Sequence, residues 1–236
     1  MTQPAPYRLH YAPDNASLIV RLALEELGTP YEAILVDRSA GAQASPAYLR
    51  LNPHGLIPTL ETPHGPIFET AAILLWLADT HGALAPAPHH PERAAFLKWL
   101  FFTSNTLHAG LRILFYPEKF AGPDPDAQRA LSRQMQANLR DHLARLDTFA
   151  AAQDPVFNAI PITVLDLYIP VLLRWAALYP IGGTGWFSLA DTPHLADHAA
   201  RIEQRPSVAR AISAEGLGPA PFTAPGYARP PEGSAT

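Results

Sequence analysis

The sequence predicts a small mixed α/β domain followed by an all-helical domain. Three observations carry this. Up to about residue 82, short strand-like segments alternate with segments of helical period. A proline-rich break, Pro86-Ala87-Pro88-His89-His90-Pro91, then interrupts the chain, and every periodic segment beyond it is helical. The 236 residues suffice to bury a core on each side of that break. Taken in order, Tyr7 to Tyr11 is partly alternating and stopped by Pro13, which predicts a strand. From Ala16 to Leu27, Leu18, Ile19, Leu22, Ala23 and Leu27 fall at helical spacing, closed by Gly28 and Pro30, with Asp14 or Asn15 as the N-cap. Tyr31 to Val36 predicts a second strand and Ser45 to Leu51 a short helix. The turn Asn52-Pro53-His54-Gly55 follows, then a hairpin built from Pro58 to Leu60 and Pro66 to Phe68. Glu69 to Thr80 is helical, with Ala72, Leu75, Trp76 and Asp79 in register. A small sheet flanked by helices satisfies this order of elements.

Beyond the break, Glu92 to Phe115 predicts a long apolar helix. Asp126 to Ala151 carries Leu131, Met135, Leu139, Leu143 and Leu146 on one stripe. Thr163 to Tyr179, Pro193 to Ile202 and Ser207 to Ala214 complete the helical part. The resulting division is 1–82, a linker at 83–91, a helical domain at 92–215 and a wrapped or loose Pro- and Gly-rich tail at 216–236.

Composition excludes several classes of function. A formal charge of −4 lacks the basic field that nucleic-acid binding needs. The absence of cysteine removes disulfides, redox dithiols, thiolate metal sites and a cysteine nucleophile, so any sulfur chemistry must come from a ligand. His89-His90 has no further ligand at metal spacing, so no metal is expected. No membrane span or signal-peptide pattern is read, and a cytoplasmic location is the expectation.

Four stretches together point to a family. They are Tyr11-Ala12-Pro13 through Leu24-Glu25-Glu26-Leu27-Gly28, then Asn52 through Leu56-Ile57-Pro58, then Phe68-Glu69-Thr70-Ala71-Ala72-Ile73, and Thr163-Val164-Leu165-Asp166. In this order and at these separations the chain resembles the glutathione S-transferase superfamily from Tyr7 to about Ile212. That resemblance implies a thioredoxin-like first domain joined to a helical bundle. Ala16-Ser17-Leu18, Trp99-Leu100 and Leu107-His108 are similar to the bacterial beta class, whose cysteine position is occupied here by Ala16.

The resemblance implies glutathione as co-substrate. The peptide bond before Pro58 is expected to be cis, and the backbone of Ile57 to pair with the cysteinyl unit like an added strand. Glu69 and Thr70, opening a helix, would hold the γ-glutamyl end, where backbone N–H groups and the helix dipole favour an anion. His54 is the candidate for the glycyl carboxylate. Lowering a thiol pKa from about 8.5 needs donors or positive potential at sulfur. Asp14 occupies the family's serine position, but a carboxylate would repel a thiolate. Asn15 is therefore the first candidate donor, Ser17 the second, and Asp14 is read as a helix cap. On the first helix of the second domain, Asn105, His108, Arg112 and Tyr116 recur at three- and four-residue steps. With Phe102 they are the expected electrophile pocket, and the resemblance puts His108 at the beta-class active-site histidine. Thr163 and Asp166 form a capping box whose role is structural.

The functional expectation is an enzyme whose bound glutathione thiolate attacks or reduces small apolar electrophiles: conjugation, or glutathione-dependent reduction of a peroxide or disulfide. The alternative is a non-catalytic module binding glutathione or hydrophobic ligands. A homodimer is expected from the resemblance; nucleic acid, membrane, metal and nucleotide are not expected as partners.

Overall fold

The computed structural model describes residues 7–152 and 161–235. Parts of the divisions read from sequence (1–6, 153–160 and 236) lie outside the described residues. The first half contains β1 (Tyr7–Tyr11), α1 (Ser17–Leu27), β2 (Tyr31–Leu35), α2 (Pro46–Leu49), β3 (Thr59–Thr62), β4 (Gly65–Phe68) and α3 (Thr70–His81). The four strands form one mixed sheet in the order β2-β1-β3-β4, with β1 and β2 parallel and the other pairs antiparallel. Leu9 stands opposite both Ala33 and Leu60, so Leu9 and Leu60 are buried completely at the centre of the sheet. Helix α1 packs against α3, and its apolar stripe from Leu18 to Leu24 is buried together with Ile73, Leu74 and Leu77 of α3. Gly28 ends α1 in the left-handed conformation that a residue lacking Cβ adopts most readily.

The helical half contains α4 (Arg93–Phe102), α5 (Ala109–Phe115), α6 (Glu118–Ala121), α7 (Pro125–Ala151), α8 (Val164–Leu178), α9 (Pro193–Glu203) and α10 (Pro206–Glu215). The expected single helix from Glu92 to Phe115 differs in one respect: its middle, Thr103–His108, is a π-helical turn. That turn adds a residue per revolution and rotates α4 relative to α5 about their common axis. Helix α8 is apolar on nearly all sides and buried along almost its whole length, which makes it the central element of the bundle. Thr163 caps it in a full capping box: its Oγ1 accepts from Leu165 N, while Asp166 accepts from the Thr163 backbone N–H at 2.6 Å.

The two halves and the tail are tied by buried charges. Arg174 of α8 is wholly buried, and its five N–H donors meet five acceptors. These are both oxygens of Asp14, at 2.8 and 2.9 Å, and the carbonyls of Leu217, Pro221 and Gly226. Glu215 pairs with Arg21 at 2.7 Å and accepts from the Asp14 backbone N–H. The tail is wrapped, not loose. Phe222 is buried, Glu232 accepts from the Tyr11 hydroxyl, and Gly233 packs so closely on Leu35 that a Cβ there would lie 2.7 Å from it. Among the described residues no helix is long and apolar enough to cross a membrane.

Candidate functional site

A cleft of about 630 Å³ opens where the loop before α1, the segment leading into β3 and the start of α3 face α5, α6 and the end of α8. Its floor on the sheet side is Ile57 and Pro58, joined by a cis peptide bond. Among the described residues nothing hydrogen-bonds the backbone N–H or C=O of Ile57. The backbone polar groups of Ile57, just ahead of β3, are thus left open at a cleft wall, where a peptide can pair with them as it would with a sheet edge. Tyr48 and Asn52 hold the neighbouring residue in place, both donating to the Leu56 carbonyl.

Beside it, α3 begins at Thr70, buried at its head, with Glu69 exposed as its N-cap. Glu69 has φ 70, a backbone region costly for a residue with a side chain. The first N–H groups of this helix have no intrahelical partner and, with the dipole, create positive potential at the cleft. The Thr70 hydroxyl meets Tyr168 of α8, and the Tyr168 hydroxyl lies 2.7 Å from His108 Nδ1. Burial raises the Tyr168 pKa far above its usual value, so the phenol is neutral. Burial, with Arg112 nearby, pushes His108 down to about 4 and keeps it neutral as well. The neutral Tyr168 hydroxyl can give its proton to His108 Nδ1. In that tautomer the imidazole proton sits on Nε2, for which no hydrogen bond is found among the described residues.

The residues expected at the site are not all brought together. Asn15, His54, Ile57, Pro58, Glu69, Thr70, His108, Arg112 and Tyr116 line the cleft. Asn15 Oδ1 accepts from Ala16 N, which leaves its amide N–H groups for the cleft. Ser17 does not reach it: it is completely buried, its hydroxyl donating to the Ala12 carbonyl and accepting from the Ala12 N–H. Phe102 and Asn105 are also absent from the walls. Phe102 packs on Trp99 and His142, and Asn105 is exposed to solvent. The π turn is the reason, because it aligns Ser104 with His108, Arg112 and Tyr116 in steps of four and turns Asn105 outward. Asp14 is not a helix cap. It has φ 50, is buried, and holds Arg174, Trp175 Nε1 and the Tyr179 hydroxyl with its carboxylate. The N-cap position of α1 is Ala16, with no side-chain cap.

Several cleft residues carried no sequence signal of their own, among them Ser104, Lys119, Phe120 and Ile181. Arg38 and Gln43 come from the loop after β2, and Trp175 and Tyr179 from the end of α8. Gln43 Oε1 is buried without a hydrogen-bond partner among the described residues. Arg38 donates to the Tyr116 hydroxyl and to the Ala235 carbonyl, each at 3.0 Å, which brings the end of the tail to the cleft. Metal-ligand chemistry has no cluster to use among the described residues.

The family model for the glutathione S-transferase N-terminal domain matches residues 16–80. A sphingomonad glutathione S-transferase solved with glutathione is 32% identical, with 89% of this chain and 100% of that chain covered at a TM-score of 0.73. The chain belongs to the glutathione S-transferase family. Glutathione S-transferase GST-4.5 of Xanthomonas campestris is 30% identical over 171 residues, covering 72% of this chain and 82% of that protein. The beta-class glutathione S-transferase of Sphingomonas chungbukensis is 30% identical over 89% of this chain and all of that one, at a TM-score of 0.72. This family member is thus related to the beta class, and it contains no cysteine. Ala16, the N-cap of α1, lines the cleft.

Proposed function

We propose that this protein binds glutathione in the cleft and uses its thiolate to attack small electrophiles. The carrying observation is the unengaged Ile57 backbone beside the first N–H groups of α3. The cysteinyl unit pairs with Ile57, the γ-glutamyl carboxylate lies at Thr70 with Glu69 toward its amino group, and His54 with Gln43 faces the glycyl end. This places the sulfur toward the head of α1. There the Asn15 amide and the His108 Nε2–H are neutral donors that favour the thiolate over the thiol, and Ser17 drops out as a donor. In conjugation the thiolate forms a carbon–sulfur bond, the leaving group departs with its electron pair, and the thiol proton passes to solvent. Positioning supplies the remainder of the rate. A cytoplasmic homodimer, expected from the family, belongs to this proposal.

An alternative reading is a non-catalytic binding module. It is favoured by the head of α1, where the Asp14 carboxylate is spent on Arg174 and Ala16 offers no donor. Titration calorimetry with glutathione, run beside a spectrophotometric conjugation assay on several aryl halides, separates the two. Binding with turnover, and a lower rate with a raised thiol pKa in Asn15→Ala, is the expected result. Binding without turnover selects the module, and no binding removes both.

A further inference from the structure

The second substrate is not defined by glutathione binding, and the charge of the cleft narrows it. The whole chain carries −4, yet the cleft is positive. Of its acidic residues, Asp14 is cancelled by Arg174, which leaves Glu69 against Arg38, Arg112 and Lys119. These three cations gather around Tyr116. Arg38 donates to its hydroxyl and Lys119 Nζ lies 4.2 Å from its ring centroid, while Arg112 stands one helical turn before it in the same wall. Among the described residues none of the three has a carboxylate partner. Arg38 is held by neutral oxygens only, and Arg112 lies over the Phe120 ring at 5.9 Å. Phe120 and Ile181, also in the walls, are large apolar side chains left about half or more exposed, at 48% and 64%. Exposed apolar side chains and three cations without carboxylate partners thus line the same cleft, with Phe120 directly beside Arg112.

Resting on the glutathione-binding reading, we propose that the second subsite takes an aromatic electrophile bearing a carboxylate. Its ring lies on the exposed apolar side chains and its carboxylate among Arg112, Lys119 and Arg38. A neutral apolar electrophile gains nothing from those charges, whereas a carboxylate gains attraction summed over three cations, weakened by solvent and further by salt.

Two S-conjugates that differ by one group test this on the full chain: S-(2-nitrophenyl)glutathione and S-(4-carboxy-2-nitrophenyl)glutathione. Because both carry the same tripeptide, any contact of the cations with glutathione itself cancels in the comparison. Titration calorimetry is expected to show the carboxylated conjugate binding about tenfold tighter at low salt, with the ratio shrinking as salt is added. In the double variant Arg112→Gln, Lys119→Gln the ratio is expected to fall toward one. Both side chains are exposed, and a thermal melt confirms that the variant folds. Equal affinities, or a ratio that survives the double variant, overturn the proposal. Free glutathione serves as the control. If it gives no heat while the conjugates still differ, the glutathione reading fails and the anionic subsite stands. If none of the three binds, both fail.

Discussion

Arg174 has no water to fall back on, so its five donors depend on Asp14 and three tail carbonyls. Arg174→Met is expected to leave the buried Asp14 carboxylate unpaired and to lower stability by about 3–5 kcal/mol in urea unfolding. Arg174→Lys should not rescue it, because an ammonium cannot reproduce the bidentate fork. None of this is legible in the local sequence: Asp14 and Arg174 stand 160 positions apart, and Asp14 reads as a helix cap until its partner is known. Ser17 misleads for a different reason: its hydroxyl is spent on the Ala12 backbone five residues earlier, a loop geometry that residue type does not reveal. His108 carries a prediction of its own. Its pKa lies below the ordinary histidine value, at about 4, so the unfolded chain takes up this proton first as pH falls. The associated stability is present above about pH 6.5 and declines toward about 4. Long-range proton–nitrogen NMR at pH 6 should find His108 neutral and protonated on Nε2. His108→Gln should lose less stability on acidification from pH 7 to 5 than the parent protein.

Secondary-structure elements were legible where their signals are local. Strand β1 follows Tyr7–Tyr11 as expected, and the capping box of α8 is readable because Thr163 and Asp166 are three residues apart. Thr163→Ala is expected to cost about 0.5–2 kcal/mol in thermal or urea unfolding, without changing ligand affinity. The π turn at Thr103–His108 leaves no such mark. Leu100, Leu107, Leu111 and Leu114 keep an apolar stripe through it, while the polar face shifts by one residue. Extrapolating a 3.6-residue period across it brings Asn105 to the cleft, whereas the chain brings Ser104. The π turn and α5 both pack on α7 and α8, long-range partners that no short window of sequence contains.

Across the whole molecule, composition alone marked the tail as a separate segment, but only tertiary contacts show what it does. From Gly216 it passes Arg174, covers Leu35 with Gly233 and ends at the cleft, where the Ala235 carbonyl meets Arg38. Removing residues 227–236 is expected to uncover Leu35, free Tyr11 and Arg38, and lower the melting temperature. Limited proteolysis should then cut first at the loop carrying Arg38. The fold joins a sheet domain that offers an open backbone to a helical domain that offers donors and cations, and their junction is the site. A crystal structure with glutathione is the decisive experiment. It is expected to place the γ-glutamyl carboxylate on the first N–H groups of α3, with two backbone hydrogen bonds to Ile57 and the sulfur within reach of Asn15 and His108. A tripeptide bound elsewhere, or a cleft that excludes it with Ile57 still unpaired, would overturn the assignment of this cleft to glutathione.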